Sequence, residues 1–154
     1  MSVNVRALVE TDLEAALTLY TALSGTIPSP VGDRAREQFR TILAHSGTTV
    51  MGAEVDRDIR AIATLHVLPN MTNGAPPYAL LENVVTAPGF ERRALARAVI
   101  EAAISRAWAA DAYKIMLLTG RETGAKGFYE KLGFTSEEKH AMTIRRLPPR
   151  APVR

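Results

Sequence analysis

The sequence predicts a single α/β domain built around a mixed central sheet, and three observations support this. The chain has 154 residues, of which 47% are apolar and 23% charged, which is ordinary for one globular domain with its own core. Strand and helix patterns alternate along it without an internal repeat or a linker. A hairpin pattern comes first and a strand-helix-strand pattern follows, a connection that is parallel and right-handed.

The N-terminal third predicts one strand and two helices. "VNVRALV" alternates like a strand, and Thr11 with Glu14 has the spacing of a capping box. The helix that this box would open carries apolar residues at helical spacing, namely Leu13, Ala16, Leu17 and Tyr20. "SGTIPSPVGD" is a loop, after which we expect Asp33 to cap a second helix that ends near Ala44.

The middle third predicts three strands. "TTVMGAEV" and "IRAIATLHVL" flank the short connection Asp56-Arg57-Asp58, which indicates a hairpin. The turn-rich loop "PNMTNGAPP" at 69–77 leads to "YALLENVVTA". The centre of this last stretch is apolar almost throughout, as expected for a strand that is buried on both faces.

The last third predicts a helix from about Glu91 to Ala110, a strand at "YKIMLLT", a short helix ending in "FYEKLGF" and a final strand near "HAMTIRR". The resulting order is β-α-α-β-β-β-α-β-α-β. The domain therefore spans residues 1–146, and a basic, Pro-rich tail occupies 147–154.

The charge distribution argues against a nucleic-acid partner. The net charge is +3, but the last ten residues hold four Arg and no acid, which leaves 15 basic and 16 acidic residues elsewhere. No basic face interleaved with aromatic residues is present, as a nucleic-acid binder would show. The chain has no Cys, which excludes disulfides, thiolate metal sites and a Cys nucleophile, and we expect no metal.

The ends of the chain suggest its location and its oligomeric state. The N-terminus lacks a basic-then-apolar signal pattern, and no uncharged apolar run approaches membrane-spanning length. We therefore expect a cytoplasmic protein without a membrane partner. The tail "PPRAPVR" should be disordered on its own, and a partner subunit would hold it, so we expect a homodimer.

Three stretches resemble the GNAT superfamily of acyl-CoA-dependent N-acetyltransferases: "YALLENVVTAPGFERRALARAVI", "YKIMLLTG" and "FYEKLGF". The last is the most specific. Within the superfamily they are similar to glucosamine-6-phosphate N-acetyltransferases and to related bacterial members of unassigned substrate. The resemblance implies a GNAT-like fold with helices on both faces of the sheet. It also implies acetyl-CoA as co-substrate and direct acetyl transfer to the primary amine of a small molecule.

The resemblance also implies where acetyl-CoA binds. The family signature is Arg or Gln, then two residues, Gly, one residue, and Gly or Ala. Its three defined positions are Glu91, Ala94 and Ala96 in this chain, of which only Ala96 conforms. A helix N-terminus supplies free N–H groups to a pyrophosphate. We expect the Val85 N–H to face the thioester carbonyl. The implied cofactor-binding residues are Val84, Val85, Glu91, Arg92, Arg93, Ala94, Leu95, Ala96, Arg97 and Phe128.

These departures predict weakened rather than abolished acetyl-CoA binding. Ala94 should favour the helix while crowding the ligand, and Glu91 should repel a pyrophosphate. Arg92, Arg93 and Arg97 are candidates for phosphate contacts. The alternative is that they are solvated surface residues, Arg97 being placed to pair with Glu101.

Two residues are candidates for the proton transfers that the reaction needs. Tyr129 matches the family tyrosine that protonates the leaving thiolate; otherwise it is a half-buried aromatic closing a helix. Glu82 enters the reaction centre among Leu81, Val84 and Val85, where desolvation would raise the pKa of a base. The alternative for Glu82 is a pairing with an Arg or a backbone cap.

Two further residues are candidates for substrate binding. Asn83 would orient the acceptor or bridge a strand distortion, and His66 would titrate near neutral pH or serve as a structural residue. Acceptor specificity should come from residues 24–31 and 69–77 and from Glu82. The rival to an enzyme is a GNAT-fold protein with a degraded cofactor site that binds a ligand or a partner. A third possibility is an interaction protein that acts through its tail.

Overall fold

The structure, a computed structural model, describes residues 2–25 and 29–146, so the predicted tail at 147–154 lies outside the described residues. Its strands are β1 (Val3–Ala7), β2 (Thr48–Val55), β3 (Asp58–Leu68), β4 (Tyr78–Thr86) and β5 (Ile115–Leu117). Its helices are α1 (Leu13–Ser24), α2 (Gly32–Ala44), α3 (Leu95–Ala109) and α4 (Lys126–Glu130). The predicted α/β class is confirmed.

The five strands form one sheet in the order β1-β2-β3-β4-β5. The first four strands pair antiparallel and β4 pairs parallel with β5. The β4-α3-β5 unit is therefore the parallel crossover that the sequence predicts. Between β2 and β3, Asp56 and Arg57 both have positive φ, 51° and 72°, which is the backbone of a tight hairpin turn whose twist matches the strands.

Two hydrophobic layers cover the sheet, one on each side. On the α3 face, α3 packs against alternate strand residues such as Ala63, Leu65 and Leu81. On the α1/α2 face, Leu19 and Phe39 pack against Ile62 and its neighbours. Because successive strand residues point to opposite faces, the alternation fixes which strand side chains share a face with which helix.

The predicted helix caps are wrong. α1 begins at Leu13 after a 3₁₀ turn at Glu10–Asp12, and Asp12 rather than Thr11 organises this entry. The Asp12 carboxylate accepts the Val9 N–H at 2.8 Å and two hydrogen bonds from Arg6. These bonds from Arg6 lower the pKa of the buried Asp12 carboxyl. The spacing of Thr11 and Glu14 gave no sign that Arg6 would bind the Asp12 carboxylate at this position.

The other helix starts also differ from prediction. Asp33 lies within the first turn of α2, where it pairs with Arg36 instead of capping the helix. α3 begins four residues after the predicted Glu91, at Leu95. The preceding Arg92 and Ala94 have left-handed φ angles of 59° and 61°, which an α-helix does not accommodate.

The predicted last strand is wrong as well. Residues 139–146 form no strand, and Met142 and Ile144 are 90% and 101% exposed. The alternating pattern is suited to a strand, but a strand needs a partner edge that local sequence does not specify. Within 2–25 and 29–146, no helix combines the length and the apolar character needed to cross a membrane.

Candidate functional site

The central feature of the site is a gap that opens between β4 and β5. The two strands pair at Ala79–Ile115, Leu80–Met116 and Leu81–Leu117. Beyond Leu81, β4 continues to Thr86 without β5 beside it. The edge of β4 from Glu82 to Thr86 therefore faces open space, and we call this gap the cleft.

A β-bulge changes the direction of β4 beside the cleft. Glu82 lies opposite Thr64 and Val85 opposite Ile62, so β4 carries one extra residue there, and Asn83 adopts a left-handed φ of 52°. Asn tolerates this conformation better than most residues. The structure thus places Asn83, whose side chain is exposed, in a strand distortion.

The backbone at this bulge corrects one prediction. The Ala87 N–H donates to the Arg60 carbonyl at 2.7 Å, so this pair is of the hydrogen-bonded type. The Val85–Ile62 pair two residues earlier is then of the same type, because the types alternate in an antiparallel ladder. Val85 therefore turns its N–H toward β3, and Val84 turns its own toward the cleft. The cleft-facing donor is Val84, not Val85.

The α3 N-terminus has the features of an anion-binding site. Ala94 is its N-cap residue and no side chain caps it, so the N–H groups of Leu95, Ala96 and Arg97 have no side-chain acceptor from the cap. Together with the helix dipole they form a positive end. Ala94 lies before the helix and in a left-handed conformation, so the prediction that it favours the helix is wrong.

The charged side chains of this turn have protein partners. Glu91 accepts the Gly89 N–H at 2.8 Å, and Arg97 pairs with Glu101 at 2.7 Å. The Arg93 guanidinium lies 4.8 Å from the Phe90 ring centroid. Arg92 is exposed. The backbone N–H groups of the α3 N-terminus are therefore better placed to bind an anion than the side chains of Arg93 and Arg97 are.

Tyr129 lies on α4 and is half-buried. Its ring makes edge contacts with Phe128 and Phe134, at centroid distances of 5.2 and 6.0 Å. Burial, and then the negative charge of Glu82, raise the pKa of the Tyr129 hydroxyl. The hydroxyl therefore stays protonated at neutral pH and can donate a proton. Glu82 therefore lies near enough to Tyr129 for its charge to act on the hydroxyl.

Glu82 is exposed, so the predicted desolvation by Leu81, Val84 and Val85 is wrong. Glu82 lies on β4 just past the end of the β5 pairing, so β3 but not β5 runs beside it. His66 lies further back on β3, where its Nδ1 and the Thr48 hydroxyl are 2.8 Å apart. The charge of Glu82 acts on Tyr129, whereas the hydrogen bond of His66 joins it to Thr48 and not to either residue.

A separate cavity lies away from the cleft and from the candidate catalytic residues. It has a volume of about 640 Å³ and lies between the loop at 45–47, the end of β3 and the α3 C-terminus. None of the residues predicted for catalysis or cofactor binding lines it. The cleft is a surface groove instead, because the β4 and β5 ends open to solvent.

Comparisons with known proteins agree with this geometry. Residues 13–134 match the acetyltransferase (GNAT) family. A solved structure from Agrobacterium tumefaciens str. C58, assigned as an acetyltransferase, is 39% identical with a TM-score of 0.88, covering 93% of this chain and 99% of that chain. Glucosamine-6-phosphate N-acetyltransferase from Arabidopsis thaliana is 20% identical with a TM-score of 0.81, covering 94% and 99%.

An aminoglycoside N-acetyltransferase solved in complex with CoA is 22% identical with a TM-score of 0.78, covering 95% of this chain and 96% of that chain. No curated protein sequence matches the chain. The family match spans α1, the sheet from β2 onward, the bulge, the α3 N-terminus and Tyr129. The chain therefore belongs to the GNAT family of acetyltransferases.

Proposed function

We propose that this acetyltransferase moves the acetyl group of acetyl-CoA to the primary amine of a small molecule by direct transfer, with no covalent enzyme intermediate. The observation that carries the proposal is that the charge of Glu82, on β4 beside the cleft, acts on the Tyr129 hydroxyl, which stays protonated at neutral pH. The α3 N-terminus, which has no side-chain cap, follows Glu82 in the chain.

Each group has a task in the transfer. Glu82 receives the proton that the acceptor ammonium must lose before its nitrogen can attack the thioester carbon. The Val84 N–H, which faces the cleft, donates to the thioester oxygen as negative charge develops there. Tyr129 gives its proton to the sulfur as the carbon–sulfur bond breaks, and the second proton that the nitrogen loses as the amide forms passes through solvent to restore the Tyr129 hydroxyl. Acetyl-CoA supplies the activated acyl group and a thiol of pKa roughly 8.5 as leaving group.

At the turn before α3, some groups favour binding of the acetyl-CoA pyrophosphate and others oppose it. The N–H groups of Leu95, Ala96 and Arg97 supply donors. The Ala94 methyl group and the Glu91 carboxylate oppose binding, the first by crowding and the second by charge. We therefore propose that the dissociation constant for acetyl-CoA is about 10- to 100-fold higher than it would be with glycine in this turn. Each factor of ten corresponds to roughly 1.4 kcal/mol.

Glu91→Gln combined with Ala94→Gly should tighten acetyl-CoA binding by about 10- to 100-fold in calorimetry. Gln removes the charge while its amide oxygen can still accept the Gly89 N–H. Gly removes both the methyl group and the left-handed strain of Ala94, which is about 1 kcal/mol. An unchanged dissociation constant for the double variant would show that neither effect limits binding.

Ala98→Gly is the matched control for this experiment. Ala98 lies inside α3 and its N–H donates to the Ala94 carbonyl, so glycine there should cost about 1 kcal/mol of stability. Ala94→Gly should cost nothing or stabilise, because Ala94 precedes the helix. Thermal denaturation of the two variants separates these outcomes, and equal destabilisation would place Ala94 in the helix after all.

The proposed function is tested by thiol release from acetyl-CoA across primary amines, amino sugars and peptide N-termini. Release that requires both acetyl-CoA and an amine supports the proposal. Tight acetyl-CoA binding with no release on any amine favours the ligand-binding module. The apolar strand "IMLL" is the reason to expect little activity on glucosamine 6-phosphate, since the sugar-phosphate enzymes carry an Asp there.

We also propose that the protein is a homodimer. Met142 and Ile144 are among the most exposed large apolar side chains of the described residues, and burying them would be favourable. The outer edge of β5 is an unpaired strand edge of the sheet, which natural proteins usually cover. Light scattering at micromolar concentration should give twice the 16.7 kDa mass of the chain; a monomer there contradicts the proposal.

A further inference from the structure

Leu80 and Met116 lie side by side on the face of the sheet opposite α3. They pair directly across β4 and β5, and neighbouring strands are about 4.8 Å apart. Their neighbours along the two strands, Leu81 and Leu117, pack in the α3 layer. Because successive strand residues point to opposite faces, Leu80 and Met116 point away from α3. We call this pair of side chains the platform.

The helices on that face leave the platform partly open. α1 packs on β3 and β4 and α2 packs on β2, while neither makes more than marginal contact with β5 among the described residues. Leu80 and Met116 are both half-buried, and within the described parts of the chain neither packs in either hydrophobic layer. Leu118, which directly follows β5, is 60% exposed. Adjacent apolar side chains left open in this way are typical of a binding surface.

Glu82 adds a carboxylate at the end of the platform that borders the cleft. It pairs with Thr64 across β3 and β4, and it follows Leu81, which packs in the α3 layer. The Glu82 side chain therefore points to the same face as the platform. Two residues of a strand, about 7 Å, separate it from Leu80. One small molecule can thus contact the carboxylate and the apolar surface together.

The two faces of the sheet divide the groups of the proposed reaction. Tyr129 packs against the α3 layer, and Leu95 at the start of α3 is part of that layer. The sulfur and the pyrophosphate of acetyl-CoA therefore belong on the α3 side. Glu82 and the platform lie on the opposite side, so the acceptor reaches the thioester through the cleft from the platform face.

We propose that the platform binds the apolar part of the acceptor while Glu82 receives its amine. The acceptor is then a primary monoamine with an apolar chain or ring of about four to six carbon atoms, which covers the distance of about 7 Å. This inference rests on the proposed function and on the role of Glu82 as its base. Leu80 and Met116 contact the substrate and determine specificity, and they take no part in the proton transfers.

The charges on this face favour an acceptor with a single ammonium group. Where β5 pairs with β4, the strand residues carry no charge, so Glu82 is the carboxylate beside the platform. His66 lies opposite Leu80 on β3 and supplies no negative charge. Lys114 precedes β5, with its Nζ 5.8 Å from the ring centroid of Tyr78. A second ammonium would lose hydration against the platform and be repelled by Lys114.

The test follows thiol release from acetyl-CoA with ethylamine, butylamine and hexylamine, whose amino groups have nearly equal basicity. In wild type, kcat/KM should rise about two- to fourfold per methylene, the upper value being that of full burial. Hexylamine should therefore exceed ethylamine by about tenfold or more, mainly through a lower KM. 1,6-Diaminohexane has the same length and two amino groups, yet its kcat/KM should be about tenfold or more below that of hexylamine.

Polar substitutions on the platform should remove this preference. Met116→Gln and Leu80→Asn should each lower the ratio of hexylamine to ethylamine by about fivefold or more, without changing kcat/KM for ethylamine. Val3→Gln is the matched control, since Val3 is 39% exposed on β1 at the other edge of the sheet, and its ratio should equal that of wild type. Thermal denaturation shows whether each variant is folded. Met116→Gln, on the edge strand β5, carries the test if Leu80→Asn does not fold.

Four results would overturn the inference and leave the proposed function standing. The first is a kcat/KM that does not depend on chain length, and the second is equal or better use of 1,6-diaminohexane. The third is acetylation of amino sugars or peptide N-termini with no alkyl amine used. The fourth is a lower mass of Met116→Gln in light scattering with the amine series unchanged, which would make the platform a contact between two copies of the chain. Absence of thiol release with every amine contradicts both proposals.

Discussion

Tyr129→Phe should lower kcat by between about 10- and 10⁴-fold while leaving acetyl-CoA affinity nearly unchanged. The substitution removes only the hydroxyl, so the edge contacts of the ring with Phe128 and Phe134 remain. The leaving thiolate then has no proton donor beside it, and the barrier to carbon–sulfur cleavage rises. Steady-state thiol release and calorimetric titration with acetyl-CoA measure the two quantities separately.

The pH dependence gives an independent check on this role. Tyr129 is active as an acid only while protonated, and its pKa is raised above the ordinary value of 10. Its contribution is therefore present throughout the neutral range and is lost only as pH rises through that raised value. Any basic limb that appears below about pH 9 must belong to another group, and it should persist in Tyr129→Phe.

Tyr113→Phe is the matched control. Tyr113 is exposed and lies before β5, at the end of the strand pairing opposite the cleft. Removing its hydroxyl should leave kcat and acetyl-CoA affinity unchanged. If Tyr129→Phe behaves like Tyr113→Phe, the half-buried tyrosine only packs against its aromatic neighbours and some other group protonates the sulfur.

The elements that sequence predicted well are those with strong local patterns. The helical spacing of Leu13, Ala16 and Leu17 on α1 reflects which side chains enter the core, and the apolar stretches of β2 and β3 are buried along most of their length. The hairpin at Asp56 and Arg57 followed from turn length. Each of these signals is local, and the structure confirms the elements that they predict.

The features that sequence missed depend on long-range geometry. The bulge at Asn83 arises where β4 leaves the β5 pairing, so the exposure of Glu82 depends on where β5 ends. The left-handed Ala94 is set by the turn that precedes α3, and an alanine gives no local sign of it. The alternation around Met142 suggested a strand because pattern alone carries no information about a partner edge.

Two residues of the candidate site could be named from the sequence because a family motif and a suitable side chain occur at the same position. "FYEKLGF" located Tyr129, and the strand before the turn located Glu82. The sequence analysis assigned the donor that faces the cleft to Val85 instead of Val84, because the bulge changes which N–H groups of β4 face β3. Backbone direction changes with a single inserted residue, so residue types alone could not identify Val84.

Glu82→Gln should lower kcat/KM for the acceptor by about 10² to 10⁴-fold and remove the acidic limb of the pH–rate profile that the carboxyl produces. A general base works only when deprotonated, so in wild type the rate falls as pH decreases through the pKa of that base. Gln keeps the size of the side chain and cannot take a proton. The rate of the variant should therefore lose this dependence and follow the free-amine fraction of the acceptor alone.

Glu37→Gln supplies the control for charge. Glu37 is exposed on α2, away from the cleft, so the same substitution there should leave the profile as it is in wild type. Glu82→Gln should also lower the pKa of Tyr129, because the Glu82 charge contributes to its rise; titration of the tyrosine absorbance near 295 nm reports this shift. A profile of unchanged shape with a shifted Tyr129 pKa would leave Glu82 as an electrostatic neighbour of Tyr129 and remove it as the base.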